Sequence, residues 1–228
     1  MKPKPRLLIL TAVALLLCGC GSGSHGTVVS VTTVPVSPKP MTVTVFAVEQ
    51  GLLHPKIERV PHTEAVATAT LGALGIAAPV TISNGTATVD LAKATNEQVA
   101  EIVFTLTQFA SVQQVDVAGR KGLTRDDFAA FVPPILIEKP VPGDDVPQTF
   151  HVSGTASVFE ATFVVQLVRD GKVLSKQTVT ASEGAPGRGT FDATFTASPG
   201  ALVVVAFAPS AADGTPQHEV DVPVTVTP

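Results

Sequence analysis

The clearest helical period in the chain follows Thr95. Apolar residues recur there at spacings of three and four and form one continuous helical face: Val99, Ile102, Val103, Leu106 and Phe109. Thr95 and Gln98 have the spacing of a capping box, which predicts the start of the helix. The polar residues of this segment fall outside the stripe and are therefore predicted to be more exposed: Glu101, Thr105 and Gln108.

A strand and a shorter helix are predicted before this helix. Residues 42–48 are apolar at neighbouring positions, as expected for a buried strand. Residues 50–59 are predicted to be a loop with a short extended piece at 57–60. Thr63 is the predicted N-cap of the shorter helix and Gly75 its stop, and its apolar stripe comprises Val66, Ala69, Ala73 and Leu74.

A hairpin and one more strand complete the pattern of this half. Alternating apolar residues between 80 and 91 flank Asn84-Gly85, a pair that tolerates positive φ and predicts a type I′ turn. Val115 and Val117 alternate in a strand that ends at Gly119. The order strand, helix, hairpin, helix, strand predicts an α+β fold with helices on one side of a mixed sheet.

A third, short helix is predicted at 123–131, with Thr124 and Asp127 as its capping pair. Asp127 and its neighbour Asp126 could instead be paired carboxylates for acid–base chemistry. Adjacent helical residues point in different directions, so capping explains the two carboxylates better. Pro133-Pro134 then ends the helix and marks a domain boundary.

From Ile135 onward the chain has the pattern of strands alone. Strand-like segments recur at seven places: 135–137, 150–154, 163–167, 173–180, 191–195, 202–207 and 220–226. About seven strands separated by turns predict an all-β immunoglobulin-like sandwich. This half contains no cysteine and the chain contains no Trp, so the sandwich would lack the usual disulfide.

The N-terminus has the pattern of a bacterial lipoprotein leader. Three basic residues precede an apolar run at 7–17, which is shorter than the about 20 residues of a spanning helix. Leu17-Cys18-Gly19-Cys20 resembles a lipobox, with an apolar residue at −3 and a small one at −1. We therefore expect a diacylglyceryl group on Cys20, since two acyl chains suffice for stable anchoring to a membrane.

Two alternatives to Cys20 stay open. The leader could be an ordinary signal peptide with incidental cysteines, or Cys18 could be the acceptor, although the large Leu17 before it favours Cys20. The residues after Cys20 are rich in Gly, Ser, Thr and Pro, typical of an extended tether. The expected organisation on the outer face of the cell membrane is a signal peptide at 1–19, a tether at 20–41, and domains at 42–132 and 135–228.

Composition argues against several classes of protein. Cleavage of the leader would change the formal charge from −4 to −7, because it removes three basic residues and no acidic one, and this charge disfavours nucleic-acid binding. Trp and Tyr are absent, so the usual stacking residues of sugar-binding sites are missing. The chain has two cysteines, Cys18 and Cys20, so the folded part is expected to have no disulfide or thiolate metal site.

Candidate catalytic and metal-binding residues are sparse. His54, His62 and Glu58 lie near one another in sequence, but their spacing matches no standard metal site, and surface histidines are the favoured interpretation. His151 alternates with apolar neighbours and is predicted to face solvent. The glycine-rich residues 184–189 are not followed by a helix, unlike a phosphate-binding loop. We therefore expect no enzyme activity, metal or other cofactor.

Lys56, Glu58 and Arg59 form the one candidate binding surface, and we name them the charged rim. Beside the first helix, the charged rim is suited to an anionic polymer or a protein partner. A solvated loop without a binding role is the competing interpretation.

The first half resembles the GerMN domain, the sporulation and germination lipoprotein domain, over about residues 41–131. The resemblance depends on Val43–Val48, Leu53–Val60, Val89–Leu91, Ile102–Phe109 and Val112–Val115, with Thr105–Phe109 as its most specific part. It implies an envelope lipoprotein module, used as a scaffold rather than as an enzyme.

The second half resembles the immunoglobulin-like domain of bacterial spore germination. The matching segments are Pro140–Gly143, Val152–Ala156, Phe159-Glu160 and Ala211–Gly214. This domain often follows a GerMN domain, so the order of the two resemblances strengthens both. The resemblance implies no defined binding residues.

The expected function is a lipid-anchored envelope protein that binds or holds an envelope protein or cell-wall polymer, linked to sporulation, germination or envelope assembly. A small-ligand carrier or hydrolase built on the first half is the alternative and requires a deep pocket. A structural adhesive that pairs through the edge strands of the sandwich is a third possibility.

Overall fold

The computed structural model describes residues 39–228. The predicted signal peptide, Cys20 and residues 20–38 of the tether lie outside the described residues. Within 39–228, no helix is both long and apolar enough to cross a membrane.

The first half begins with a hairpin. Strands β1 (Met41–Glu49) and β2 (Leu52–Val60) are antiparallel and joined by Gln50 and Gly51, whose φ angles of 51° and 83° fit a two-residue turn. The predicted loop at 50–59 is therefore wrong. Glu49 pairs with Leu52, so Pro55 falls on a position whose backbone nitrogen faces away from β1, and the strand loses no ladder hydrogen bond there.

A mixed four-stranded sheet forms the second layer of this half. Its strands β3 (Val80–Ser83), β4 (Thr86–Val89), β5 (Gln114–Val117) and β6 (Arg120–Leu123) lie in sequential order, with β4 and β5 parallel. The predicted Asn84-Gly85 hairpin is confirmed. Strand β6 was not predicted. Among residues 39–228, β1 pairs with β2 alone. The prediction of a single mixed sheet that contains both β1 and β5 is therefore also wrong.

Two α-helices pack against these sheets. Helix α1 (Val66–Ala73) begins at Val66, and Thr63 accepts a hydrogen bond from the nitrogen of Ala65 in the turn before it instead of capping it. The predicted stripe of α1 is confirmed, because it packs on Val43, Val45 and Val60. Helix α2 (Asn96–Leu106) has the predicted Thr95–Gln98 capping box. The predicted third helix is a 3₁₀ segment at Arg125–Phe131, where Asp127 accepts from the nitrogen of Thr124.

The polar side chains of α2 and of the turn that follows it face β1. Thr105 is fully buried, contrary to the prediction that it is more exposed, whereas Glu101 and Gln108 are half-buried. The backbone nitrogens of Phe46 and Val48 donate to Thr105 Oγ1 and Glu101 Oε1 at 2.9 and 2.8 Å. Gln108 Nε2 donates to the carbonyl of Thr44 at 2.8 Å. These three side chains therefore satisfy the edge of β1 that no strand among residues 39–228 covers.

The second half is the predicted sandwich. Its strands are β7 (Ile135–Lys139), β8 (Asp145–Val146), β9 (Thr149–Ala156), β10 (Thr162–Arg169), β11 (Lys172–Thr180), β12 (Gly189–Thr196), β13 (Gly200–Pro209) and β14 (Pro216–Val226). One sheet has the order β11-β10-β13-β14-β8 and the other β12-β9-β7. Phenylalanines fill the core between them, and the rings of Phe163 and Phe191 lie 4.9 Å apart.

Candidate functional site at the junction of the two halves

Strand β7 belongs to the hydrophobic cores of both halves. Side chains alternate along a strand, so Ile135 and Ile137 enter the sandwich core while Leu136 enters the core around α2. All three residues are almost fully buried, with exposures of 2% or less. Separating the halves would expose apolar surface, so β7 holds them as one unit. We call the contacts around β7 the junction.

Arg125 crosses the junction from the first half. Its guanidinium donates to Glu138 Oε2 and to Thr107 Oγ1, both at 2.8 Å, and lies 4.8 Å from the centre of the Phe104 ring. Glu138 lies on β7, and both side chains are about one-quarter exposed. Ion pairs and cation–π contacts strengthen as water is excluded, so Arg125 ties the 3₁₀ segment to the sandwich.

Arg188 makes the opposite connection, from the sandwich to the end of the first half. Its Nη2 donates to the carbonyl of Pro133 at 2.9 Å, and its Nη1 donates to Thr155 Oγ1 at 3.2 Å. Burial lowers the pKa of the Arg188 guanidinium, because it disfavours the charged form, while the charge of Glu138 opposes this effect. The hydrogen bonds to carbonyls compensate part of that cost.

Two clefts with charged residues in their walls open at the junction. One, of about 450 Å³, is lined by Thr44, Gln108, Arg125, Glu138, Asp144 and His151. The other, of about 530 Å³, is lined by Phe104, Arg125, Asp126, Thr155, Arg188 and Thr190. Both guanidinium groups in the walls are already bonded within the protein, so the clefts are shaped by the groups that hold the halves together.

A smaller, mainly apolar groove lies between β2, β7 and β14. Its volume is about 210 Å³, and its walls include Leu52, Pro55, Pro134, Pro142 and Val220. Glu219 and Asp221 border it, together with His54 and His218. One large apolar side chain or a small apolar ligand has a suitable size for this groove.

The structure divides the charged rim between two faces of the hairpin. Glu58 and Lys56 lie opposite Val43 and Val45, on the face that carries α1, whereas Arg59 lies opposite Thr42 on the other face. Lys56 pairs with Glu49, and this hydrogen bond and charge hold the pKa of the Glu49 carboxyl below its ordinary value. The partner-binding role of the rim stays a prediction.

The histidines singled out in the sequence lie apart from one another or at the surface. His54 and His62 are exposed, and within residues 39–228 no group of three His, Cys, Asp or Glu side chains is placed to hold a metal ion. His151 faces solvent as predicted, with its Nδ1 2.6 Å from Asp192 Oδ1 on the neighbouring strand.

The charged residues of the junction were missed by the sequence reasoning. Arg125 is next to a capping residue, Glu138 is in a strand, and Arg188 is in a loop, so each has an unremarkable local context. A charged residue directly after the apolar run Ile135–Ile137, as Glu138 is, was the one available signal.

Comparison with known proteins supports the assignment of the second half. Residues 134–215 match the family model of the immunoglobulin-like domain of bacterial spore germination, which covers less than half of the chain. This match confirms the resemblance for that part of the sandwich. No curated protein matches the chain.

Two solved structures have low similarity to the chain. The fibronectin(III)-like modules of Clostridium thermocellum CbhA are 17% identical, with a TM-score of 0.27, covering 40% of this chain and 93% of theirs. An engineered protein is 18% identical, with a TM-score of 0.30, and the match covers 60% of this chain and 29% of the engineered chain. The matched region therefore spans less than a third of that engineered protein.

Proposed function

We propose that this protein is a lipid-anchored envelope protein whose two halves act together as a non-enzymatic binding or scaffold module. The observation that carries the proposal is the junction, in which β7 contributes to both cores and Arg125 and Arg188 bond across it. A rigid pair of modules presents its surfaces in a fixed relation, which suits holding a partner. The match at residues 134–215 fits a link to sporulation or germination.

The first half is proposed to be a GerMN-type module. The segment with the most specific resemblance, Thr105–Phe109, contains two residues that bond the edge of β1: Thr105 and Gln108. A structural role of this kind accounts for polar residues on the side of this segment that faces β1. It supports a module whose signature residues maintain its fold.

Cys20 is the proposed anchor, on the extracytoplasmic face of the membrane. The lipobox-like Leu17-Cys18-Gly19-Cys20 and the basic, apolar leader before it support this assignment. The Gly, Ser, Thr and Pro-rich residues after Cys20 would keep the two modules away from the bilayer.

Fractionation of cells that express the full chain tests the anchor. Wild type is expected in the membrane fraction, and Cys20→Ala is expected as a soluble or unprocessed form. Cys18→Ala is the matched control and is expected to remain in the membrane. Normal processing and firm membrane attachment of Cys20→Ala would contradict the proposal.

In-cell crosslinking of wild type and Cys20→Ala then tests whether binding of a partner depends on anchoring to the membrane.

A small-ligand carrier is the second candidate function, and the apolar groove favours it. Native mass spectrometry of the protein purified from its own host would reveal a bound small molecule as a discrete mass beyond that of the lipidated chain. Loss of that mass in Pro134→Asp, with retention in Leu174→Asp on the exposed strand β11, would support a carrier. A spectrum containing the lipidated chain without further mass would count against it.

A further inference from the structure

Phe159 is the most exposed large hydrophobic residue within 39–228. It is 75% exposed, compared with 53% for Val173, 50% for Leu174 and 39% for Ile82. It lies between β9 and β10 in a short 3₁₀ turn, Phe159–Ala161. The burial of a phenylalanine is strongly favourable, so this ring is a large apolar group left available for another molecule.

The backbone that carries Phe159 is strained. Glu160 and Ala161 have consecutive φ angles of 54° and 58°, in the left-handed region that residues with a Cβ rarely adopt. Such conformations persist where the surrounding structure enforces them, and they concentrate at sites that bind ligands. The turn is therefore held in this shape by its neighbours.

The loop between β11 and β12 enforces that shape. Backbone nitrogens of Ala181 and Ala185 donate to the carbonyls of Ala161 and Val158, each at 2.9 Å. A Cβ added to Gly184 would lie 2.7 Å from the nitrogen of Ala161, so the two loops are in close contact. The contacts fix the turn, and the ring is presented with little backbone freedom to lose on binding.

The loops of the sandwich around Phe159 carry mainly acidic charge. Residues 157–161 and 181–188 lie there, and the register of Val164 with Phe207 brings the loop at 210–215 to the same end. The three loops carry the carboxylates of Glu160, Glu183 and Asp213. Their single basic residue, Arg188, bonds inward to the junction.

We propose that Phe159 is the anchor residue of a protein-binding surface at this end of the sandwich. Its partner is a protein with an apolar pocket bordered by lysine or arginine side chains, which would receive the ring and complement the carboxylates. This inference rests on the proposed binding function and specifies the surface that performs it.

Photo-crosslinking in cells of the native host tests whether Phe159 is the anchor residue of a protein-binding surface. The full chain carries p-benzoylphenylalanine at position 159, or at position 174 or 59 as matched exposed positions. The expected result is one discrete protein adduct from position 159 and none from position 174. Mapping of the adduct should place the crosslink in an apolar pocket with basic neighbours.

Binding of the identified partner to purified variants provides the second measurement. Phe159→Ala is expected to weaken binding at least about tenfold, Phe159→Leu less, and Leu174→Ala not measurably. Melting temperatures should be equal, because Phe159 is exposed. A partner bound equally by Phe159→Ala, or an adduct with lipid, wall polymer or a second copy, would overturn the anchor. An adduct from position 59 but none from 159 would overturn the anchor while leaving the proposed binding function in place.

Discussion

The backbone nitrogen of Phe46 donates to Thr105 Oγ1 at 2.9 Å, linking residues 59 positions apart in the chain. Both residues are almost fully buried. The bond satisfies a strand edge with a helix side chain, so the hairpin β1–β2 is held against α2 with no third strand from the described part of the chain. The packing of the hairpin against α2 in the first half thus depends on a polar contact within an apolar core.

Thr105→Val is expected to destabilise the protein by about 1–3 kcal/mol, because it keeps the shape of the side chain and leaves the Phe46 nitrogen buried without an acceptor. Urea unfolding followed by circular dichroism measures the change. Thr178→Val, on the exposed strand β11, is the matched control and should change stability by less than about 0.5 kcal/mol. Equal stability of the two variants would show that the Thr105 contact contributes nothing.

Arg125→Met is expected to cost about 2–3 kcal/mol, because it removes hydrogen bonds to Glu138 and Thr107 while keeping a long apolar side chain. Lys56→Met, which removes the exposed ion pair with Glu49, should cost clearly less, because water screens exposed charges. Unfolding free energies measured on the same day in the same buffer compare the two. A larger loss for Lys56→Met would contradict the proposed importance of the junction.

Gly154→Ala is expected to disturb the pairing of β7 with β9. A Cβ at this position would lie well inside contact distance of the Leu136 carbonyl, and backbone atoms have no alternative rotamer. The expected cost is about 1–3 kcal/mol or more, as for overpacked cores. Gly72→Ala in α1, where a Cβ meets open space, is the control and should be neutral or stabilising. Thermal unfolding that ranks Gly154→Ala at or above Gly72→Ala would refute this explanation.

Acidification is expected to release the loop at 210–215. Hydrogen bonds from Thr215 and Ser210 hold the pKa of the Asp213 carboxyl below its ordinary value. A carboxyl with a lowered pKa stabilises its surroundings above the ordinary value and loses that effect as the pH falls through the lowered one. The Thr215 amide resonance should therefore titrate with a midpoint below that of an ordinary aspartate. Asp213→Asn should abolish this step, and a midpoint at or above the ordinary aspartate value would contradict the prediction.

Local chemistry made part of the fold predictable. The capping box of Thr95 and Gln98 and the Asn84-Gly85 turn involve residues within three positions of each other, so their geometry follows from short-range hydrogen bonds and allowed φ angles. The alternating pattern after Ile135 similarly predicted the sandwich. Strand β2 was missed because a proline such as Pro55 cannot donate a backbone hydrogen bond and therefore argues against a strand. Only the pairing with β1 shows that the nitrogen of Pro55 faces away from the neighbouring strand.

The hydrogen bonds to the edge of β1 and the charged contacts of the candidate site at the junction were not predictable in the same way. Periodicity places Glu101, Thr105 and Gln108 outside the apolar stripe of α2, and a polar side chain outside a stripe normally faces water. Here the uncovered edge of β1 occupies that side and supplies the hydrogen-bonding partners. Arg125, Glu138 and Arg188 likewise acquire their roles from partners that lie 13 to 56 positions away in the chain.

The sequence alone determined the helices and turns whose signals lie within a few residues, the all-β pattern of the second half, and the lipobox-like motif at Cys20. The tertiary structure alone decided that β7 contributes to two cores, that polar residues of α2 cover an edge of β1, and that two loops brace Phe159. The physical reason is the separation along the chain between the residues that interact. A cap or a turn is complete within its own segment, whereas burial and hydrogen-bond satisfaction depend on whatever element the fold places opposite.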